Sequence, residues 1–242
     1  RYESSAASDV YKRQIGIDVG GTFTDIVAVS DTGTVTFSKA ASTPNDPSIA
    51  VMNAVERLAD ELGINSETLL SKTESIVHGT TVATNALLER KGAKTGLLTT
   101  LGHRDVLEMR EGLKDDRYNM RLPAPAPLVP RFLRLGVRER IKPDGSIHTK
   151  LDNTSLDEAI NKLREEKVTS VAVCYLHAYK EPKHEQETKQ ILEAKLPGVS
   201  VSISSEVFPE IKEYERVSTT IVNAYVRPIV ENYLNRLEER LK

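Results

Sequence analysis

The chain has 242 residues, of which 39% are hydrophobic and 28% are charged, and its formal net charge is −2. Such a length and composition predict a globular protein with one large or two small domains. No basic run is interleaved with aromatic residues, which argues against a nucleic-acid partner. The single cysteine, Cys174, excludes an internal disulfide framework and favours a reducing compartment. No apolar run reaches the roughly 18 residues that span a bilayer, so we expect a cytoplasmic protein without a membrane partner.

The two ends of the chain carry separate expectations. Residues 1–13 are polar, do not begin with methionine and lack the apolar core of a signal peptide, so we expect a disordered or non-native lead-in. Residues 210–242 have a strongly helical pattern, and nothing follows them for such a long helix to pack on. We therefore expect the chain to be a fragment.

The first structured stretch is predicted to be an antiparallel meander. Apolar residues 15–17 lead into Asp18, a glycine pair follows, and a second apolar run occupies residues 26–29. Residues 34–39 then alternate in polarity as a third strand would. Asp46, with Pro47 directly after it, is a plausible N-cap for a helix over residues 49–62.

The turn of this meander has the composition of a phosphate-binding site. Neither Gly20 nor Gly21 has a Cβ, so the backbone can approach a bulky anion, and the Thr22 and Thr24 hydroxyls add donors. Asp18 could lie close to a phosphate only with a divalent cation or its water shell between them. We hypothesise a Mg-nucleotide phosphate site. An ordinary hairpin with a Gly-Gly turn is the alternative.

A second polar block follows residues 75–78. The pattern predicts a short buried strand ending at His78, then a helix that begins near Thr80 or Thr81 and ends at Gly92. A helix N-terminus offers unpaired N–H groups to an anion, although Thr80 could simply cap its own helix.

The remainder is predicted to be a second α/β unit. Strand 94–100 leads into a charged segment with Arg104, Asp105 and Arg110, which is either a ligand-binding strand end or a solvated surface. An irregular stretch at 115–131 precedes a strand at 133–141 and a helix capped by Thr154 or Ser155. The continuously apolar segment 168–176 predicts a central strand covered on both faces. Further elements are a helix at 184–196, a strand at 199–204 and a final helix bent at Pro228, with an apolar stripe at Thr219, Val222, Val226, Ile229, Tyr233 and Leu237.

Three blocks together closely resemble the hydantoinase A/5-oxoprolinase family, which includes ATP-dependent N-methylhydantoinases, 5-oxoprolinases and acetone carboxylase-like subunits. They are residues 17–25, residues 78–86, and residues 213–219 with 223–226. The resemblance implies an α/β fold whose N-terminal half is ribonuclease-H-like, as in the actin, Hsp70 and sugar-kinase superfamily. It also implies a mixed sheet, a smaller α/β unit and a long C-terminal helix. The implied domains are residues 14–198, an N-terminal domain, and residues 199–242, the truncated start of the hydantoinase A core domain.

The resemblance also implies an activity, in which ATP and Mg drive the opening of a cyclic amide such as 5-oxoproline or a hydantoin. Phosphorylating the carbonyl oxygen would overcome the resonance stabilisation of the amide. The implied catalytic residues are Asp18, His78, Arg104 and Asp105, with Asp18 positioning Mg through water. The implied nucleotide-binding residues are Asp18, Gly20, Gly21, Thr22, Thr24, Gly79, Thr80 and Thr81, and the substrate-side candidates are Arg110, Glu213 and Arg216.

Three alternatives stay open at this point: a sugar or acyl-group kinase of the same superfamily, a ketone carboxylase subunit, and a non-catalytic relative. The expected partners are a small cyclic-amide substrate and a second, hydantoinase B-type subunit or domain. Complete family members continue well beyond residue 242, so we expect this chain to carry half of a nucleotide site.

Overall fold

The computed structural model of the chain describes residues 12–43, 45–112, 116, 118–123 and 125–242. The fold is α/β, and the chain is divided into two compact units. The first unit takes in the chain up to Asn85 together with Ile229–Lys242, and the second is Ala86–Pro228. Residues 1–11 of the expected lead-in lie outside the described residues, whereas Arg13 already begins a strand. The domain boundary after residue 198 stays a prediction.

The first unit is built on a four-stranded mixed sheet with the order β3-β2-β1-β4. The strands β1 (Arg13–Val19), β2 (Phe23–Ser30) and β3 (Val35–Ala41) are antiparallel, which confirms the predicted meander, and β4 (Thr73–Thr80) is parallel to β1. The prediction that the strand ending near His78 is buried is wrong. It is an edge strand, and the side chains of β4 are exposed or only half-buried.

The first two helices cover one face of this sheet. Helix α1 (Pro47–Glu61) has the predicted cap, because the Asp46 carboxylate accepts the Ser48 N–H at 3.1 Å. A shorter helix, α2 (Ser66–Ser71), follows. The core of the unit joins sheet, helices and the end of the last helix, through Ile15, Ile17, Val19, Ile26, Val51, Val55, Leu58, Leu69, Tyr233 and Leu237.

Helix α3 (Val82–Leu88) is shorter than predicted. It ends before Arg90, which takes the positive φ of 53° that a terminating residue often has. The expected end at Gly92 is therefore wrong. Gly92 instead packs on Tyr225, and a Cβ at this glycine would lie 2.0 Å from the ring atom Cε1.

The second unit contains a four-stranded sheet in which all strands are parallel, with the order β10-β9-β5-β6. Its strands are β5 (Thr95–Thr100), β6 (Arg134–Val137), β9 (Ser170–Cys174) and β10 (Ser200–Ile203). Every residue of β9 is buried, which confirms the predicted central strand. Helices on the sheet complete the core, with Leu97, Leu98, Val171, Val173, Leu156, Ile160, Leu163, Leu192, Ile221 and Ala224 among its members.

The predicted strand at 133–141 is two strands. Its second part, β7 (Arg140–Ile141), leaves the sheet and pairs with β8 (Ile147–Thr149). The break has a local cause, since the Arg138 N–H donates to the Ser155 hydroxyl at 3.0 Å rather than to a neighbouring strand. The predicted irregular stretch at 115–131 falls partly outside the described residues, and its described part has no helix or strand up to Pro130.

The described α-helices that complete the second unit or pass through it are α4 (Val106–Met109), α5 (Asn153–Glu165), α6 (Lys183–Lys195), α7 (Ser204–Val207) and α8 (Glu213–Leu241). The cap of α5 is neither Thr154 nor Ser155. It is Asp152, whose carboxylate accepts the N–H groups of both residues, at 3.2 and 3.3 Å.

The long helix α8 contains Pro228 as predicted, and the division between the two units falls directly after that residue. The C-terminal part of the predicted stripe, Tyr233 and Leu237, is buried. The N-terminal part is wrong: Thr219 is exposed, and the buried positions are Arg216, Val217, Thr220, Ile221, Ala224 and Tyr225. Among the described helices, none is both long and apolar enough to cross a membrane.

Candidate functional site

The glycine turn closes the β1–β2 hairpin tightly. The Gly20 N–H donates to the Phe23 carbonyl at 3.0 Å, and a Cβ on Gly20 would lie 3.0 Å from that same oxygen. Only glycine fits this approach without displacing backbone. Because its N–H is used within the turn, Gly20 has no backbone donor left for a ligand. Gly21 and Thr22, both exposed, are the turn residues that can supply one.

Ser42 holds the turn from just beyond the end of β3, and no sequence pattern indicated its role. Its N–H donates to the Thr22 carbonyl at 2.9 Å, and its hydroxyl donates to the Gly20 carbonyl at 2.8 Å. The same hydroxyl lies 3.2 Å from the Thr24 hydroxyl, which is fully buried. Thr24 is thus placed to support the turn from beneath, whereas Thr22 is placed at its surface.

Asp18 lies at the exposed end of β1, directly beside this turn. Its neighbour on β4 is Gly79, and a Cβ at that position would lie only 3.5 Å from Asp18 Oδ1. Since Gly79 has no side chain, space is left open beside the carboxylate. Its neighbour on β2 is Asp25, which forms an ion pair with Lys39 at 3.2 Å. Within the described ranges, Asp18 itself has no ion-pair partner.

His78 lies on the other face of the sheet from Asp18. It is paired with Ile17, whose side chain is in the core, while Asp18 is paired with Gly79 one position further on. The His78 Nε2 atom is 2.7 Å from the Tyr233 hydroxyl of α8, and its Nδ1 atom is buried without a partner among the described residues. Burial lowers the pKa of His78, with the Asp18 charge opposing this, and the imidazole is therefore neutral at pH 7.

Thr80 and Thr81 lie at the joint between β4 and α3. The Thr80 hydroxyl accepts the Val82 N–H at 3.2 Å, so it caps the short helix, as the structural alternative predicted. Thr81 donates its N–H to the Val19 carbonyl at 3.2 Å, and the Asn85 side chain donates to its hydroxyl at 3.2 Å. These bonds hold the β4–α3 joint against the end of β1, where Asp18 lies.

The charged segment after β5 is in the second unit and is largely engaged in ion pairs. Both oxygens of Asp105 accept from Arg131, each at 2.9 Å, and these hydrogen bonds lower the pKa of Asp105. Arg104 is exposed and 3.9 Å from Asp105. Arg110, which has a positive φ of 54°, lines an apolar cleft of about 240 Å³. The other residues of this cleft are Leu107, Pro125, Ala126, Pro127, Leu128, Tyr214, Ser218 and Ile221.

Arg216 is a buried structural residue of the second unit, with 1% of its surface exposed. Its guanidinium donates to the carbonyls of Glu210 and Tyr175 at 3.1 and 3.0 Å and lies 5.4 Å from the centre of the Tyr179 ring. These contacts tie α8 to the chain that leaves β9. The other substrate-side candidate of this block, Glu213, is half-buried at the start of α8.

A polar network at the carboxyl ends of the parallel strands was missed from the sequence. The buried Glu139 carboxylate accepts from the Thr100 hydroxyl and lies 2.8 Å from His184 Nδ1. Behind it, buried Glu185 accepts from the Ser204 hydroxyl at 2.6 Å and from two backbone N–H groups, and desolvation raises its pKa. The sequence offered no signal for this network, because Glu139 fell inside the predicted strand 133–141 and Glu185 inside the predicted helix 184–196.

The structure therefore sorts the predicted site residues into two groups. The first unit brings together Asp18, Gly20, Gly21, Thr22, Gly79, Thr80 and Thr81 at one end of its sheet, with buried Thr24 and half-buried His78 next to them. The second unit holds Arg104, Asp105, Arg110, Glu213 and Arg216. Among the described residues, no three His, Cys, Asp or Glu side chains form a group that could hold a metal ion.

Comparison with known proteins gives a consistent result. Residues 14–196 match the model of the hydantoinase/oxoprolinase N-terminal region. The chain is 43% identical over 227 residues to the caprolactamase subunit alpha of Pseudomonas jessenii, covering 93% of this chain and 33% of that one. It is 36% identical over 241 residues to the acetophenone carboxylase gamma subunit of Aromatoleum aromaticum, covering 94% of this chain and 33% of that subunit.

A solved structure agrees with these matches. The crystal structure of an ATP-dependent caprolactamase from Pseudomonas jessenii superposes with a TM-score of 0.86 at 42% identity, over 94% of this chain and 33% of that one. The chain thus spans about a third of the length of each of these proteins.

Proposed function

Because the chain belongs to the hydantoinase/oxoprolinase N-terminal family, we propose that it is the N-terminal part of an enzyme that uses ATP to open a cyclic amide of the 5-oxoproline or hydantoin type. A relative named as an ATP-dependent caprolactamase supports both the nucleotide and the cyclic amide. The proposal includes a ribonuclease-H-like first unit, which the mixed sheet order β3-β2-β1-β4 supports.

The observation that carries this proposal is the arrangement around Asp18. The carboxylate is exposed at the end of β1, the glycine turn follows within two residues, and Gly79 leaves room on the neighbouring strand. An ordinary Gly-Gly hairpin does not require an unpaired carboxylate at its base or a side-chain-free position next to it. The arrangement suits a phosphate chain held between the turn and the carboxylate.

The residues present fit a magnesium ion. Mg²⁺ takes oxygen ligands, keeps several waters, and is commonly held by one or two carboxylates together with substrate phosphates. Asp18 supplies one exposed carboxylate with open space beside it, so it would hold the ion through water. When bound, the ion would supply neutralisation of the charge on the transferred phosphoryl group.

The chain's own residues would act by positioning. In the proposed reaction the amide carbonyl oxygen takes the terminal phosphoryl group of ATP and ADP leaves. Water then adds to the carbon, the ring C–N bond breaks with the nitrogen leaving as the amine, and a second water releases phosphate from the resulting acyl phosphate. The N–H groups of Gly21 and Thr22 and the Thr22 hydroxyl would donate to phosphate oxygens. Ser42 and Thr24 would keep the turn in shape, and His78 would brace β4 from the buried face.

We further propose a second subunit as partner, since both named relatives are subunits of larger enzymes. Specificity for the amide depends on residues that converge on the substrate, and Arg110 and Glu213 of the second unit are the candidates in this chain. Arg104 and Asp105 are weaker candidates, because Asp105 is already paired with Arg131.

The test is the Asp18→Asn variant in the complete enzyme, assayed as ATP-dependent phosphate release. We expect release to depend on 5-oxoproline or a hydantoin and not on a panel of sugars, and the variant to lose about 10²- to 10³-fold in kcat/KM. Asp25→Asn is the matched control, since Asp25 is the cross-strand neighbour of Asp18 and should change the rate less than about threefold. Full activity of Asp18→Asn would refute phosphoryl transfer at this turn, and release driven by sugars or by acetone with bicarbonate would favour a kinase or a carboxylase.

A further inference from the structure

The side chain of Asn85, in α3, lies next to the glycine turn. A Cβ on Gly21 would be 3.8 Å from Asn85 Nδ2, so the amide is in contact range of the turn. Because Gly21 has no side chain, nothing of its own stands between the turn backbone and this amide. Asn85 is half-buried and belongs to the first unit, as the turn does. A polar group from a separate helix is thus placed beside the exposed part of the turn.

The hydrogen bonds of Thr81 determine which end of the Asn85 amide carries the hydrogens. The Thr81 hydroxyl donates its only proton to the Val19 carbonyl at 3.3 Å, and a carbonyl can only accept. The same hydroxyl can therefore only accept from Asn85, at 3.2 Å, so the amide atom next to it is Nδ2 and not Oδ1. An amide nitrogen has two hydrogens. One is donated to Thr81, and the other has no partner among the described residues.

That second hydrogen is a donor at a place where the turn itself has few. The Gly20 N–H is donated to the Phe23 carbonyl at 3.0 Å, which leaves the N–H groups of Gly21 and Thr22 and the Thr22 hydroxyl. A hydrogen bond from an amide to an ionised oxygen is stronger than one between neutral groups. The free Asn85 hydrogen would therefore bind an anion at the turn better than it binds water.

A purely structural role for Asn85 is to fix the first turn of α3 through Thr81, as short polar side chains often do. That role uses one of the two Nδ2 hydrogens, and it does not require the amide to lie beside Gly21. Asparagine is also a poorer helix former than alanine or leucine, and α3 has only seven residues. The structural role explains the bond to Thr81 and leaves the position of the amide at the turn unexplained.

We propose that Asn85 is a further phosphate-binding residue of this site, which donates its second Nδ2 hydrogen to an oxygen of the phosphate held at Gly21 and Thr22. Thr81 orients the amide for this bond. The role rests on the proposed function, because it concerns the phosphate of the same ATP site. It adds a side-chain donor from α3 to the backbone donors of the β1–β2 turn, so that the phosphate is held from two elements.

The first test follows three amide signals of the unmodified chain by ¹H–¹⁵N NMR: the side chain of Asn85 and the backbone N–H groups of Gly21 and Thr22. The probes are Mg-ATP, Mg-tripolyphosphate, which is a phosphate chain alone, and adenosine, which has no phosphate. We expect the first two probes to shift all three signals with one dissociation constant, and adenosine to shift none. A shift of Gly21 and Thr22 without Asn85 would overturn the role of Asn85 and leave the phosphate turn intact. If no signal shifts, the phosphate turn is refuted and the role of Asn85 with it.

The second test uses variants of the complete enzyme, assayed as ATP-dependent phosphate release. Asn85→Asp keeps the shape of the side chain, and the Thr81 hydroxyl can donate to the new carboxylate, so a purely structural role predicts nearly normal activity. We expect kcat/KM for ATP to fall about 10- to 100-fold in Asn85→Asp, where an acceptor replaces the donor, and in Asn85→Ala, where the donor is lost.

Thr84→Ala is the matched control, since Thr84 is the exposed neighbour of Asn85 on the same helix, and we expect a change of less than about twofold. Either Asn85 variant within about twofold of the unmodified enzyme would contradict the proposal. Asp18→Asn, measured alongside, separates the two levels: normal activity of that variant refutes the phosphate site as a whole, whereas its loss with normal Asn85 variants refutes only the role of Asn85. The NMR comparison needs no variant, so it decides the matter even if a substitution prevents folding.

Discussion

His78 shows how a polar residue at the end of a strand can contribute to the core rather than to a ligand. Its imidazole is on the buried face of the first sheet, where one nitrogen bonds the Tyr233 hydroxyl at 2.7 Å and the other has no partner in the described part of the chain. The contact joins β4, an edge strand, to the last part of α8, and both belong to the first unit. Loss of that hydroxyl would leave both nitrogens of a half-buried ring without a partner in the described part of the chain.

We therefore predict that Tyr233→Phe lowers the free energy of unfolding by about 1–3 kcal/mol, because a buried donor or acceptor left unpaired costs about that much. Tyr179→Phe is the matched control: it removes a hydroxyl that lies 3.4 Å from a half-buried histidine, and we expect less than about 0.5 kcal/mol. Urea unfolding followed by circular dichroism measures both. Equal effects of the two substitutions would show that the short contact of Tyr233 with His78 contributes no more to stability than the long contact of Tyr179.

The roles of some residues could be predicted from their neighbours in the sequence, and the roles of others could not. Asp46 was identified as a cap because an aspartate directly before a proline is typical of a helix start. Asp18 was identified as a site residue because a carboxylate beside two glycines is unusual. Thr24 and Arg216 were given ligand roles, yet the structure buries Thr24 against Ser42 and ties Arg216 to the Tyr175 carbonyl. Those partners lie 18 and 41 residues away, so no local pattern could have indicated them.

At the scale of elements, the approach of β5 to α8 depends on one missing side chain. Gly92 precedes β5, and its Cα faces the ring of Tyr225, with three ring atoms within 2.3 Å of where a Cβ would be. One residue later, the Ala93 N–H donates to the Tyr225 carbonyl at 2.9 Å. The glycine therefore sets the distance between the strand and the helix.

We predict that Gly92→Ala lowers the free energy of unfolding by about 1–3 kcal/mol, since overpacking a fitted contact forces side chains and backbone to shift. Gly21→Ala is the control for stability, because its nearest neighbour would be Asn85 Nδ2 at 3.8 Å, an ordinary contact. The two substitutions are compared by thermal unfolding. A Gly92→Ala variant as stable as the control would mean that the ring moves aside without cost. Combining Gly92→Ala with Tyr225→Ala should give less than the sum of the two single effects.

The elements that were predicted well from the sequence were those with clear start and stop signals in the local sequence. The meander, α1 and the buried strand β9 have clear periodicity and clear ends. The stripe on α8 was wrong in its first half because polar residues are buried there: Arg216 through backbone carbonyls, and Thr220 by donating to the Arg216 carbonyl at 2.6 Å. Periodicity arguments treat such residues as exposed, so they shift the buried face of the helix.

At the scale of the whole chain, the second unit interrupts the first. The chain leaves the first unit after Asn85, within α3, and returns at Ile229, within α8. Neither crossing is a loop rich in glycine, proline or polar residues, which are the usual signs of a domain boundary. All residues of the proposed phosphate turn belong to the first unit.

The last prediction concerns nucleotide binding by these 242 residues alone. The chain spans about a third of the length of the caprolactamase subunit, and its proposed contacts with ATP are limited to the β1–β2 turn, Asp18 and the β4–α3 joint. If a complete site bound ATP near 1 μM, about −8 kcal/mol, and this chain supplied half of that free energy, the dissociation constant would be about 1 mM. We therefore expect calorimetry with Mg-ATP to give a dissociation constant near 1 mM, and we expect no measurable phosphate release.

The Asp25→Asn variant should match the unmodified chain, while Asp18→Asn should bind more weakly still. A stoichiometric isotherm with a micromolar constant would show that the phosphate turn and its neighbours are sufficient for binding, and the half-site hypothesis would then be wrong.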